Sequence, residues 1–147
     1  FNVPIGRHAN PTIADAEAIR ALSRYLSQND IQLLNRDFSD LEEVVQPGSF
    51  VYIDPPYHPL PNSRSFTTYA KSGFSEEDQQ RLKHFSVSLV KKKKCTVLLS
   101  NSYTDFILKL YQDPTFEIFE VKANRRINSV SHGRNEISEA LIMGAPR

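Results

Sequence analysis

The sequence predicts an α/β domain: a mostly parallel sheet with helices on its faces and an antiparallel pair at one edge. Three observations carry this. Apolar, β-branched stretches alternate with stretches of helical periodicity, the pattern of strands joined by covering helices. The last two strand-like stretches follow each other with no helix between them, which suits antiparallel neighbours. And Phe50-Val51-Tyr52-Ile53 runs straight into Asp54-Pro55-Pro56-Tyr57, so a buried strand ends abruptly on an acid. A proline cannot donate to a sheet and keeps the residue before it extended. Asp54 is therefore held at the carboxyl end of its strand, the edge where open α/β sheets bind ligands.

With 147 residues, 39% hydrophobic and 24% charged, the chain has the size and balance of one globular domain with a real core. A net charge of +1 leaves any affinity for nucleic acid to local basic patches. No apolar run approaches the ~18 residues that a membrane span needs, and no leader is evident, so no membrane partner is expected. Cys95 is the single cysteine; it lies in an apolar run and reads as a core thiol, which fits a reducing, cytoplasmic setting. The chain opens on Phe1-Asn2-Val3-Pro4 without an initiator methionine, so the numbering is expected to begin inside a longer protein.

In chain order, Phe1 to Pro11 is a proline- and glycine-punctuated loop carrying Arg7 and His8. Thr12 with Asp15 resembles a capping box, after which Ala18, Ile19, Leu22 and Leu26 recur at helical spacing to about Ser27. That helix is amphipathic and is expected to pack on something. Ile31 to Leu34 reads as a short strand with Asp37 and Phe38 beyond its carboxyl end, Ser39 to Val45 as a short capped helix, and Gln46 to Ser49 as the turn into the central strand. A long polar loop, His58 to Gly73, carries Arg64, Phe66, Thr67, Thr68, Tyr69 and Lys71; loops of this length in compact domains are functional or mobile. Ser75 with Asp78 caps a helix that sets Leu82, Phe85 and Leu89 on one face, and Lys91 to Lys94 form its solvated end. A strand over Cys95 to Ser100, a short helix from Asp105 to Tyr111, a strand over Phe116 to Val121, a basic loop from Lys122 to Arg134 and a last strand over Ile137 to Met143 complete the chain.

No glycine-rich turn of the dinucleotide or P-loop kind joins a strand to a helix anywhere, because the five glycines are scattered. A cofactor cradle of that kind is expected upstream. The histidines His8, His58, His84 and His132 are dispersed without metal-ligand spacing, and no metal is expected.

Asp54-Pro55-Pro56-Tyr57 after an apolar strand resembles the motif of S-adenosylmethionine-dependent N6-adenine DNA methyltransferases. The flanking pieces are similar to the Dam-type, D12 class branch: Phe1-Asn2-Val3-Pro4 with Gly6-Arg7, Asp37-Phe38, Phe66-Thr67-Thr68-Tyr69 with Gly73-Phe74, Leu99-Ser100-Asn101-Ser102, and Arg125-Arg126-Ile127-Asn128. The resemblance spans essentially the whole chain and corresponds to the carboxyl-terminal half of the family. It implies part of a Rossmann-like methyltransferase sheet. Residues 1–11 would end a target-recognition segment, and residues 12–147 would form the carboxyl-terminal part of the catalytic domain. It further implies double-stranded DNA as partner, a bacterial or phage setting, and an amino-terminal half in the same or a partner chain that holds the aromatic-glycine motif for the methyl donor.

The chemistry explains the residue types. Adenine's exocyclic amine is a poor nucleophile because its lone pair is delocalised into the ring. Two acceptors, the Asp54 carboxylate and the Pro55 carbonyl, can take both N–H groups, aim the lone pair and stabilise the positive charge that develops on nitrogen. Pro56 stiffens the turn. The base must leave the duplex first, and Tyr57 offers a flat face on which it can stack, an interaction worth ~1–3 kcal/mol per base.

By the same resemblance Asp37 and Phe38 border the cofactor's adenine; as plain sequence, an ordinary strand-end turn competes with that role. Asn2, Pro4 and Arg7 match the end of a DNA-contacting hairpin, with a loose terminus as the competing reading. Arg125, Arg126 and Arg134 either touch the DNA backbone or brace the catalytic loop. Two other classes of function stay open: a non-catalytic nucleic-acid-binding remnant, and a methyltransferase of another amine such as cytosine N4 or protein glutamine. Asp54 favours adenine.

Overall fold

The computed structural model describes residues 14–60, 73–124 and 136–146. Asn2, Pro4, Arg7, His8, Thr12, the Arg64 to Lys71 segment, Arg125, Arg126, His132 and Arg134 lie outside the described residues. The chain divides into two compact units, Phe1–Asn35 and Arg36–Arg147.

In the first unit, α1 spans Ala16–Gln28. Its cap is Asp15, whose carboxylate accepts from the Ala18 N–H at 3.0 Å, so the helix starts one turn later than a Thr12 cap implies. None of its residues is buried, and Ile19, Leu22 and Tyr25 form an exposed apolar stripe. The expected strand over Ile31 to Leu34 does not form. A strand exists only through a ladder partner, and no described backbone pairs with these residues.

The second unit holds the sheet. A 3-10 helix, Phe38–Glu42, precedes β1, Phe50–Ile53. Then come α2, Glu76–Lys91, β2, Thr96–Ser102, α3, Asp105–Leu110, β3, Phe116–Asn124, and β4, Glu136–Gly144. The strands lie in the order β1-β2-β4-β3. β1 pairs parallel with β2, Ile53 opposite Leu99, while β4 runs antiparallel to both β2 and β3. Three strands thus point one way and β4 alone is reversed. The last two strands form the antiparallel pair at one edge that the sequence predicts; β4 folds back between its predecessor and β2, leaving β3 at the edge.

Register assigns each residue a face. Val97, Leu99, Ile142, Phe116 and Ile118 share one, and α2 covers it with Leu82, Phe85, Leu89 and Val90. The capping box at Ser75 forms in full: the Asp78 N–H reaches the Ser75 hydroxyl and the Ser75 N–H reaches the Asp78 carboxylate. Cys95 is fully buried, as its apolar run implies. The lysines close the helix as expected, with Lys91, Lys92 and Lys94 exposed, while Lys93 turns back to donate to the Val45 carbonyl at 3.0 Å. The other face is far less covered, for Phe50, Tyr52, Phe119 and Val121 all lie exposed on it.

At Gly144 the helix α2 and the sheet leave no room for a side chain. A Cβ there would stand 2.8 Å from Val90 Cγ2 and 2.9 Å from Phe116 Cε1. Overpacking of this kind costs ~1–3 kcal/mol, so Gly144→Ala is expected to lower the urea unfolding midpoint with an unchanged slope. A midpoint equal to wild type would mean that α2 shifts aside freely.

Candidate active site

The carboxyl ends of β1 and β2 are adjacent because the two strands pair in parallel, and this places Asp54 beside Ser100. The Ser100 hydroxyl donates to Asp54 Oδ1 at 3.1 Å and lies 3.2 Å from the Tyr52 hydroxyl. Asp54 itself is exposed. One carboxylate oxygen is thereby fixed from the sheet side.

The segment after Asp54 is anchored through its backbone. Pro55 and Pro56 have no N–H to give, so the anchors are a carbonyl and an amide on either side of Tyr57. Gln79 Nε2 donates to the Pro56 carbonyl at 3.0 Å, and the His58 N–H donates to Asn101 Oδ1 at 2.9 Å. The two carboxamides are joined, Asn101 Nδ2 donating to Gln79 Oε1 at 3.1 Å. Both are buried, Gln79 at 1% exposure and Asn101 at 0%. A buried carboxamide left unpaired costs ~1–3 kcal/mol, so this position of α2 and this end of β2 are committed to the loop. The His58 ring adds a contact 3.0 Å from Thr104 Oγ1 and stacks on Phe106 with ring centroids 4.7 Å apart.

Tyr57 is half-buried. Burial pushes its phenol above the usual range, the Ser100 hydroxyl opposes this, and the Glu139 and Asp54 carboxylates add to it. Its ring thus stays neutral at physiological pH and keeps a flat, uncharged face.

Beneath Asp54 lies a mainly apolar cavity of about 260 Å³, lined by Phe38, Leu41, Ile53, Asp54, Phe74 and Phe85 among others. Phe38 meets Phe85 edge-on at 5.7 Å and lies 6.3 Å from Phe74, with the Arg81 guanidinium 5.0 Å from its ring centre. Asp37, next to it, caps the 3-10 helix: its Oδ1 accepts from the Ser39 N–H at 3.0 Å and from the Ser39 hydroxyl, and from Arg81 at 2.9 Å. An exposed ion pair of this sort adds little to stability; its effect is to orient the carboxylate beside Phe38.

The structure therefore brings together Asp54, Pro55, Pro56 and Tyr57 at one sheet edge and sets Phe38 in the cavity below them. Gln79, Ser100, Asn101 and His58 also converge there. A glutamine at a position of α2 in line with Leu82 and Leu89 was the readable trace of this, since a polar residue on an apolar helix face needs a partner. Among the described residues, no group of three or more His, Cys, Asp or Glu is arranged to hold a metal ion, and no helix is long and apolar enough to cross a membrane.

A mixed α/β sheet that ends a strand on an acid and two prolines, above an aromatic-lined cavity, has the open carboxyl edge at which α/β domains commonly hold ligands. The sequence model of the D12 class N6 adenine-specific DNA methyltransferases matches residues 1–127, and the chain belongs to this family. It is 42% identical over 142 residues to the Type II methyltransferase M1.LlaDCHI of Lactococcus lactis subsp. cremoris, covering 97% of the chain and 49% of the relative. It is 43% identical over 145 residues to the Type II methyltransferase M.MjaIII of Methanocaldococcus jannaschii, with 97% of the chain and 48% of the relative covered. To the DNA adenine methylase of Escherichia coli (strain K12) it is 32% identical over 146 residues, or 99% of the chain and 50% of the relative. The chain thus spans about half the length of the curated relatives it matches.

The Asp37 carboxyl is held below the usual carboxylate range, first by the Ser39 hydroxyl and amide and then by Arg81. Carboxyl-carbon NMR titration is expected to show this, with Ser39→Ala and Arg81→Ala each raising the Asp37 midpoint. A midpoint unmoved in either variant would remove that group from the cause.

Proposed function

We propose that this chain is the carboxyl-terminal, catalytic part of a site-specific DNA methyltransferase that acts on the N6 amine of adenine. The observation that carries the reading is Asp54, fixed through one oxygen by Ser100 and exposed at the sheet edge beside Pro55 and Tyr57. In this reading Asp54 and the Pro55 carbonyl accept the two N–H groups of a flipped adenine. That geometry draws the nitrogen lone pair out of the ring and stabilises the charge that grows on nitrogen. No strong base is needed, because the amine proton becomes acidic only after the nitrogen is alkylated. Tyr57 stacks on the extruded base, and its neutral phenol suits that role.

S-adenosylmethionine is the methyl donor in this proposal, supplying an electrophilic methyl on a sulfonium sulfur. The cavity suits part of it. At about 260 Å³ it falls just under the ~300–1,000 Å³ range of drug-sized pockets, enough for a ring system and short of a whole cofactor. Phe38 would pack on that ring, Asp37 would accept from its amino group through the oxygen not committed to Ser39 and Arg81, and Asp54 would border the sulfonium end. The rest of the cradle belongs to an amino-terminal half in the same or a partner chain. The exposed residues Phe50, Tyr52, Phe119 and Val121 and an edge of β1 that no described strand pairs favour such a companion, since open apolar sheet surface is a docking or aggregation site.

Residues 1–11 would close the target-recognition segment, with Asn2 and Arg7 on phosphates and Pro4 near a base, and residues 12–147 would belong to the catalytic domain. Arg125 and Arg126 would contact the DNA backbone. A cytoplasmic location follows from the substrate.

In the active methyltransferase that contains this chain, Asp54→Ala is expected to lower single-turnover methyl transfer by orders of magnitude with DNA binding largely kept. Retention of most of the rate constant would remove Asp54 from its role.

The 147-residue chain alone is expected to bind S-adenosylmethionine weakly, because each absent hydrogen bond forfeits ~0.5–1.5 kcal/mol. Calorimetric titration giving one-to-one micromolar binding by the monomer would show that the donor site is complete within it.

A further inference from the structure

We infer that Gln79 and Asn101 are positioning residues for methyl transfer, acting through the backbone on either side of Tyr57; the inference rests on the reading above. Neither side chain faces the proposed substrate. Both are buried, at 1% and 0% exposure, and each bonds both the turn and the other. Gln79 bonds the Pro56 carbonyl at 3.0 Å and Asn101 at 3.1 Å. Asn101 Oδ1 accepts at 2.9 Å from both the His58 and the Ser102 amides. One end of Tyr57 is thus tied to α2 and the other to β2, so neither end of its backbone can swing without breaking a bond to a buried carboxamide.

The tie also bears on a carbonyl that it does not touch. The Pro56 carbonyl held by Gln79 lies one residue beyond the Pro55 carbonyl, the second acceptor proposed for the target amine, so a turn freed from Gln79 loosens that acceptor as well. A glutamine serves better here than an apolar residue because it donates to one element while accepting from another.

Gln79→Met keeps the volume and removes both bonds. In the active methyltransferase that contains this chain, saturated with DNA and S-adenosylmethionine, the single-turnover rate constant is expected to fall about 10- to 100-fold, the scale of a ~1 Å misplacement. The DNA dissociation constant should stay within about twofold, since ground-state contacts are untouched. Leu89→Ala, on the same helix but in the core away from the turn, separates positioning from stability. It should lower the melting temperature at least as much and leave the rate constant within about twofold. On the 147-residue chain without substrate, exchange of the His58 amide should be slow and should accelerate at least about tenfold in Gln79→Met as Asn101 loses its fixed orientation. A Gln79→Met rate constant within about twofold of wild type, an equal loss in Leu89→Ala, or unaltered His58 exchange would each overturn the inference. A wild-type enzyme that transfers no methyl to adenine in duplex DNA would instead overturn the functional reading, and the exchange measurement would still decide whether the tie holds the turn.

Discussion

A single pair of buried carboxamides ties the working edge of this domain together. Gln79 comes from the first turns of α2 and Asn101 from the end of β2, and they bond each other at 3.1 Å. Each also holds a point on the turn that leaves β1. Three elements that are distant in sequence thereby share one hydrogen-bond network. Because an unpaired buried amide is costly, the network is satisfied as a whole or not at all. The parallel β1–β2 pair brings the strand ends side by side, and the amide pair converts that proximity into a fixed loop.

The prolines explain why such a network is needed. Pro55 and Pro56 stiffen the chain but remove two amides from it, so a Pro-Pro turn at a sheet edge cannot hold itself to the sheet by a ladder. Side chains must do it instead. Ser100 fixes Asp54 on one side of the edge, and Gln79 with Asn101 fixes Pro56 and His58 on the other. Tyr57 stands between them, beside Ser100, Tyr52 and Glu139. The turn is thus braced from both faces of the sheet, with the acid left exposed.

Around this edge the domain is unevenly finished. One face carries α2 and a dense core of Leu82, Leu89, Val97, Leu99 and Ile142. The other shows Phe50, Tyr52, Phe119 and Val121 to solvent, and in the first unit α1 has an apolar stripe with no buried residue. Both features agree with a chain that spans about half the length of its relatives. Asp37 illustrates a compromise of the same kind. It caps a helix and pairs with Arg81, yet only one of its oxygens takes these bonds, so a structural duty and a ligand contact are compatible there.

The elements legible in the sequence are those whose signals are local. Phe50 to Ile53 announces itself by β-branched and aromatic residues and by the prolines that end it, and α2 by its capping box and the spacing of Leu82, Phe85 and Leu89. The motif Asp54 to Tyr57 was equally plain, and with it the edge where chemistry is proposed. What failed depended on partners. Ile31 to Leu34 has the composition of a strand, but a strand needs a ladder, and no described residue supplies one. The cap of α1 lies at Asp15 rather than Thr12 because two capping residues one turn apart offer rival starts whose difference is about one hydrogen bond. The direct β3–β4 link foretold an antiparallel pair at one edge, but not that β4 rather than β3 would pair with β2. Gln79 left only the trace of a polar residue on an apolar helix face, and nothing local to Asn101 names its partner: their importance lies in the three-dimensional meeting of α2, β2 and a proline turn, which only the folded chain brings within hydrogen-bonding distance.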